Sequence, residues 1–229
     1  MSHAAARKPQ RRSARPAPSL LAGVRPPPPL EAGDRLTSAE FLRRYEAEPM
    51  LKKAQLIEGI VYMPSPVRAE LHAEPDNLIQ FWLGHYAMLT QELKVFTNAT
   101  LVVDPENTPQ PDAILCSAPR KGGRVWLNEK GYLCGAPELV CEVTASSASV
   151  DLHDKFRAYR RRGIQEYLVW LTTERNVKWF QLVEEDYVQI KEQRGLIQSA
   201  IFPGLVLDVK ALLKLDRARL LAGLRGAGK

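Results

Sequence analysis

The stretch from Glu138 to Leu171, ELVCEVTASSASVDLHDKFRAYRRRGIQEYLVWL, constrains the fold more than any other part of the chain. It reads as a buried strand, a polar turn, an amphipathic helix and a second buried strand. In the first strand, period-2 alternation puts Glu138, Val140, Glu142 and Thr144 on one face and Leu139, Cys141 and Val143 on the other. The polar run Thr144 to Ser149 leads into the helix, with Ser149 as N-cap. Asp151 and Asp154 follow in the first turns, where the helix dipole favours anions. Leu152, Phe156 and Tyr159 form the apolar stripe, Arg157, Arg160, Arg161 and Arg162 gather towards the C-terminal end, and Gly163 stops the helix. A strand–helix–strand unit of this kind is a crossover, so its two strands are expected to be parallel neighbours.

The remaining segments fit around this unit. Thr37-Ser38-Ala39-Glu40 is a capping-box pattern, with Phe41, Leu42 and Tyr45 at helical spacing behind it. QLIEGIVYM at 55–63 predicts a strand with a turn at Glu58-Gly59, ended by Pro64-Ser65-Pro66. Ala69 to Met88 carries a helical stripe in which Pro75 implies a late start or a kink. Strands are expected at 93–97 and 100–103, and again from Pro111-Asp112-Ala113-Ile114-Leu115. Residues 117–135 read as an irregular insertion. Two further strands fall at 176–182 and 187–190, and a C-terminal helix near 209–222 follows a short strand. The order predicts an α/β (α+β) domain with a mixed central sheet flanked by helices.

Charge divides the chain unevenly. Residues 1–35 hold seven Lys/Arg against two acids, so almost all of the net +6 lies there, and the remaining residues are close to neutral. This segment, with Pro26 to Pro29 and little apolar periodicity, is expected to be a disordered basic tail. The domain proper is then 36–222, and 223–229 is a frayed end. The high pI is therefore weak evidence that the folded part binds nucleic acid. Three cysteines without a CxxC spacing argue against a disulfide framework or a structural zinc site and suit a reducing cytoplasm. No apolar run approaches the roughly 20 residues of a membrane span, and Leu20 to Val24 is too short and Pro-flanked for a signal peptide.

Chemistry-bearing residues cluster in pattern rather than in a single motif. A carboxylate in the apolar run around Glu142 is costly without a compensating charge. Two readings stand: an acid paired with a nearby Lys or Arg, or a ligand of a divalent cation. Asp112, at the start of its own strand, supplies a second carboxylate. His72 is either a solvent-facing or capping residue or a functional one, and Glu58 either a surface turn acid or an accessory carboxylate acting through a metal-bound water. No P-loop, GxGxxG before a helix, HExxH or GxSxG is present.

Taken together, Pro111-Asp112, Glu142-Val143, and Asp151-Leu152, Lys155, Tyr159, Gly163 and Glu166-Tyr167 resemble the Uma-type putative restriction endonuclease family of the PD-(D/E)XK nuclease superfamily. Leu56-Ile57-Glu58-Gly59, Pro64-Ser65-Pro66 and His72 are similar to the opening pattern of that family. The likeness covers roughly residues 36–215. It implies a restriction-endonuclease-like mixed sheet flanked by helices, and DNA cleavage dependent on Mg2+, with Mn2+ as a substitute. Asp112 and Glu142 would be the metal-binding carboxylates. The superfamily lysine, two residues after the second acid, is here Thr144, and Lys155, one turn into the next helix, is the expected replacement. The resemblance also makes a homodimer an expectation. A non-catalytic relative that keeps the fold for nucleic-acid binding or protein interaction is the alternative, motivated by Thr144 and the near-neutral body.

Overall fold

A computed structural model describes residues 26–63 and 65–224. In chain order the elements are α1 (Ser38–Glu46), β1 (Gln55–Ile57), β2 (Ile60–Tyr62), α2 (Glu74–Leu89), β3 (Leu93–Thr97), β4 (Leu101–Val102), β5 (Ala113–Ser117), β6 (Val125–Leu127), β7 (Leu133–Gly135) and β8 (Leu139–Thr144). Then come α3 (Phe156–Arg161), β9 (Glu166–Leu171), β10 (Asn176–Val183), β11 (Asp186–Gln189), β12 (Leu196–Gln198), β13 (Val206–Asp208), α4 (Val209–Leu213) and α5 (Arg217–Ala222).

A six-stranded sheet in the order β11-β10-β9-β8-β5-β3 forms the centre. β8 and β9 are parallel, as the crossover through α3 requires, and the other pairings are antiparallel. Every residue of β8 and of β9 is buried, because both faces of the sheet are covered. Leu115, Leu139, Cys141, Val143, Leu168, Trp170 and Trp179 face α2 and the C-terminal segment. On the other face, Ile114, Val140, Tyr167, Val169 and Leu171 pack with Tyr159 and Ile164, and with Leu101 and Leu133 of a small three-stranded sheet. The alternation seen in the sequence thus divides the chain between two core layers.

The aromatic residues of α2 tie the C-terminal segment to the first layer. Trp82 donates through Nε1 to the Val206 carbonyl at 3.3 Å, and the Tyr86 hydroxyl donates to the Pro203 carbonyl at 2.9 Å. Trp82 meets Trp179 edge-on with ring centroids 5.9 Å apart, an arrangement worth about 0.5–1.5 kcal/mol beyond area burial. Pro75 follows directly on a π-type turn, Ala69–Ala73, in which Glu74 N–H reaches the Ala69 carbonyl. The wider turn absorbs the break that the missing N–H of Pro75 makes in the helix. The regular α-helix therefore starts late, after one wide turn.

Several boundaries differ from the sequence expectation. The 117–135 insertion holds β6 and β7, which join β4 in the three-stranded sheet. These strands are too short to show a period. The C-terminal helix is two helices, with the side chains of Asp208 and Asp216 accepting from Ala211 N and Arg219 N at their respective starts. Of the expected tail, residues 1–25 lie outside the described residues. Residues 26–35 lie against the body: Leu30 is buried with Phe41, Leu56 and Val61, and Gly33 and Asp34 exchange backbone hydrogen bonds with Val61 at 2.8 and 2.9 Å. At the other end Leu224 is buried in the first core layer, and residues 225–229 are outside the described ones.

Candidate active site

Asp112 enters β5 at the end where β8 leaves the sheet. Ala113 stands opposite Cys141 in the antiparallel β5–β8 register, so one residue further Asp112 faces Glu142. Both are 3% exposed. The Asp112 carboxylate has two sides. Its Oδ2 accepts from the backbone N–H of Val143 at 2.8 Å. Its Oδ1 lies 3.6 Å from Lys53 Nζ and 3.7 Å from His72 Nε2.

His72 belongs to a wide π-type turn, Ala69–Ala73, that precedes α2. Such turns arise where helical hydrogen bonds span one extra residue, and they recur at functional sites. One turn later, Asp76 of α2 completes a group in which one donor atom each from His72, Asp76 and Asp112 lies within 4.8 Å of the others. Ligand bonds of about 2.0–2.6 Å allow donors of one ion to sit up to about 5 Å apart. One imidazole nitrogen and two carboxylates at this spacing therefore fit a divalent cation. Burial, and then the neighbouring Asp112 charge, raise the Asp76 carboxyl above its usual range. A cation would relieve the second of these.

Glu142, across the ladder from Asp112, has its own set of partners. Its Oε1 lies 2.9 Å from Lys155 Nζ and accepts from the Tyr159 hydroxyl at 3.0 Å. Lys155 comes from a second π-type turn, Val150–Lys155, that precedes α3, and its Nζ is also 2.9 Å from Asp151 Oδ1. Burial pushes the Glu142 carboxyl up to about 8, opposed by Lys155 and reinforced by Asp151 and Asp112. Burial alone would lower the Lys155 ammonium, but Asp151 and Glu142 outweigh it and hold it above its usual value. Lys155 therefore stays charged. Two π-type turns, each before a helix, deliver the imidazole to Asp112 and the ammonium to Glu142.

The structure thus brings Asp112 together with His72, and Glu142 with Lys155. Glu58 is not placed with the Asp112 group. It sits at positive φ in the β1–β2 turn and pairs with Arg161 at 2.6 Å on the far end of α3. The arginines at that end are each engaged: Arg157 with Asp154, Arg160 with Asp186, and Arg162 within 4.0 Å of Asp104. Sequence reasoning passed over Asp76 and Lys53. It named Asp151 as a helix-start acid and Tyr159 as a stripe residue, both parts of the family pattern, without giving them a role in the site. The signal for two of them was present, since His72–Asp76 and Asp151–Lys155 are both i,i+4 pairs that share a helix face.

Comparison with known proteins bears on the fold and the family. No curated protein matches the chain. Among solved structures, a putative nuclease from Anabaena variabilis superposes with a TM-score of 0.58 at 17% identity, covering 78% of this chain and 98% of that one. That likeness establishes the fold as restriction-endonuclease-like. A family model described as putative restriction endonuclease, Uma2, matches residues 38–210, which is well over half of the chain. The chain therefore belongs to the Uma2 family of putative restriction endonucleases.

Proposed function

We propose that this chain is a divalent-metal-dependent endonuclease that hydrolyses phosphodiester bonds of DNA. The observation that carries the reading is the position of Asp112. It shares a cation-sized donor group with His72 and Asp76 on one side and stands across the ladder from the buried Glu142–Lys155 pair on the other. Asp112, His72 and Asp76 would hold the ion, with Glu142 as a further carboxylate. Mg2+ suits the carboxylates, and the imidazole makes Mn2+ an effective substitute. When bound, such an ion supplies a Lewis acid for phosphoryl oxygens and a water of lowered pKa.

The chain's own residues account for the rest. The Lys155 ammonium, kept charged by Asp151 and Glu142, stabilises the negative charge that grows on the phosphorus oxygens in the transition state. Lys53, beside Asp112, adds a partly exposed cation where an incoming phosphate would meet the site. Val143 N–H fixes Asp112 so that its Oδ1 faces His72. Thr144, at the position where the superfamily lysine is expected, motivates a binding-only reading. Lys155 answers it by supplying an ammonium at 2.9 Å from Glu142. The three unpaired cysteines are buried, in keeping with a reducing cytoplasm.

The test is cleavage of labelled single- and double-stranded DNA with Mg2+ or Mn2+, with and without chelator, beside Glu142→Ala. Cutting that chelator and the variant both abolish supports the reading. A folded wild type that cuts neither substrate with either metal overturns it.

A further inference from the structure

We propose that Asp151 is a positioning residue for Lys155, held in turn by Ser147 and Thr144. It deepens the nuclease reading above and rests on it for the role of Lys155. A lysine on a flexible four-carbon stem does not stay in one place without several fixed acceptors. Lys155 comes from a different element than Glu142, and Glu142 offers it a single oxygen, Oε1, that Tyr159 also uses. Asp151 Oδ1 is the second anchor, at 2.9 Å.

Asp151 is itself tied down on both its side chain and its backbone. Its Oδ2 accepts from Ser147 Oγ at 2.9 Å, and Ser147 Oγ lies 2.9 Å from Thr144 Oγ1. Its carbonyl accepts from the Tyr167 hydroxyl at 3.0 Å, and its N–H donates to the Ser147 carbonyl at 3.1 Å. Thr144 is two residues beyond Glu142 on the same face of β8, and its carbonyl accepts from Thr172 N–H at 3.0 Å. The chain of contacts therefore leaves β8 at Thr144, runs through Ser147 and Asp151 to the ammonium, and returns to β8 at Glu142. The wide turn Val150–Lys155 carries both ends of the Asp151–Lys155 pair.

This closed path fixes where the ammonium sits relative to Glu142. Asp151 and Lys155 are 2% and 4% exposed, so their charges answer each other rather than solvent. Lys155 keeps a carboxylate partner of its own, and Glu142 is left able to engage a second group through its other oxygen. Thr144, where a lysine is expected, becomes the first link in holding the lysine that replaces it.

The experiment compares DNA cleavage, metal affinity and Lys155 reactivity in wild type, Asp151→Asn, Ser147→Ala and Ser147→Thr. A catalytic group displaced by about 1 Å costs on the order of 100-fold in rate. Asp151→Asn is expected to lower kcat about 100-fold, with KM and the Mn2+ affinity near wild type. Ser147 is exposed, so its variants keep the fold. Ser147→Ala should lower kcat about 5-fold, and Ser147→Thr, which keeps the hydroxyl, should restore it. Reductive methylation read by peptide mass should find Lys155 protected in wild type beside the exposed Lys130, and about 10-fold more reactive in Asp151→Asn. Equal cleavage by Asp151→Asn, or Ser147→Ala and Ser147→Thr behaving alike, overturns the proposal. If wild type cuts no DNA, the nuclease reading fails, and the labelling alone decides the positioning: exposure of Lys155 in Asp151→Asn sustains it and unchanged protection sinks it.

Discussion

Val143 donates its backbone N–H to Asp112 Oδ2 at 2.8 Å, so the carboxylate of one strand is bolted to the residue that follows the acid of the next. Asp112 cannot shift without disturbing the Glu142 strand. Asp112→Ala removes the acceptor and leaves a buried N–H unmade, a loss of about 1–3 kcal/mol. Asp112→Asn keeps an oxygen for that bond and removes the charge. Thermal unfolding should therefore separate the two variants, while calorimetric titration with Mn2+ should find binding weakened at least about tenfold in both.

His72 gives the donor group its one nitrogen. Imidazole suits Mn2+ better than Mg2+, whose ligands are oxygens. His72→Ala should weaken Mn2+ binding by about tenfold or more and Mg2+ binding by less. Equal losses for the two ions would show that His72 does not touch the metal.

Glu142 makes the stability of the metal-free protein depend on pH. Burial raises its carboxyl from 4.5 to about 8 in the folded state. Between these values the folded chain holds a proton that the unfolded chain has released, so stability falls as pH rises through that window. Melting temperatures taken from pH 5 to pH 8 should decline in wild type and decline less in Glu142→Gln. A flat wild-type profile would contradict the assignment.

Glu166 offers a control of comparable burial away from the site. It accepts from Trp179 Nε1 at 3.2 Å, Ser199 Oγ at 2.8 Å and Ala200 N at 2.7 Å, which staples the segment after β12 to the sheet. Glu166→Ala orphans these buried donors and should cost about 3 kcal/mol, with Mn2+ affinity unchanged in the folded fraction. Glu58→Gln breaks a partly exposed pair with Arg161. It should alter stability by no more than about 1 kcal/mol and leave metal binding as it was.

The sheet and the crossover were legible because their signal is periodic. The alternation around Leu139 to Thr144 and the run Glu166 to Leu171 define two buried strands, and the stripe between them defines the helix. Glu142 stands out because a carboxylate in an apolar run needs a charge partner, Asp112 because an acid opens its strand, and Lys155 only through the family resemblance. Asp76 and Asp151 do not stand out, since acids near helix starts already have a reason to be there in the helix dipole. Their partners, His72 and Lys155, are reached through π-type turns, which no local pattern announces. Leu30 was hidden for another reason. A single apolar residue in a proline run carries no period, yet it closes the small cluster with Phe41 and Leu56.

The most direct measurement is nicking of supercoiled DNA by the purified full chain in Mg2+ or Mn2+, run beside Asp112→Asn and Lys155→Ala. The account predicts metal-dependent nicking by wild type, abolished in the first variant and reduced at least about 100-fold in the second. Nicking by Asp112→Asn at the wild-type rate, or no nicking by a folded wild type, would contradict it.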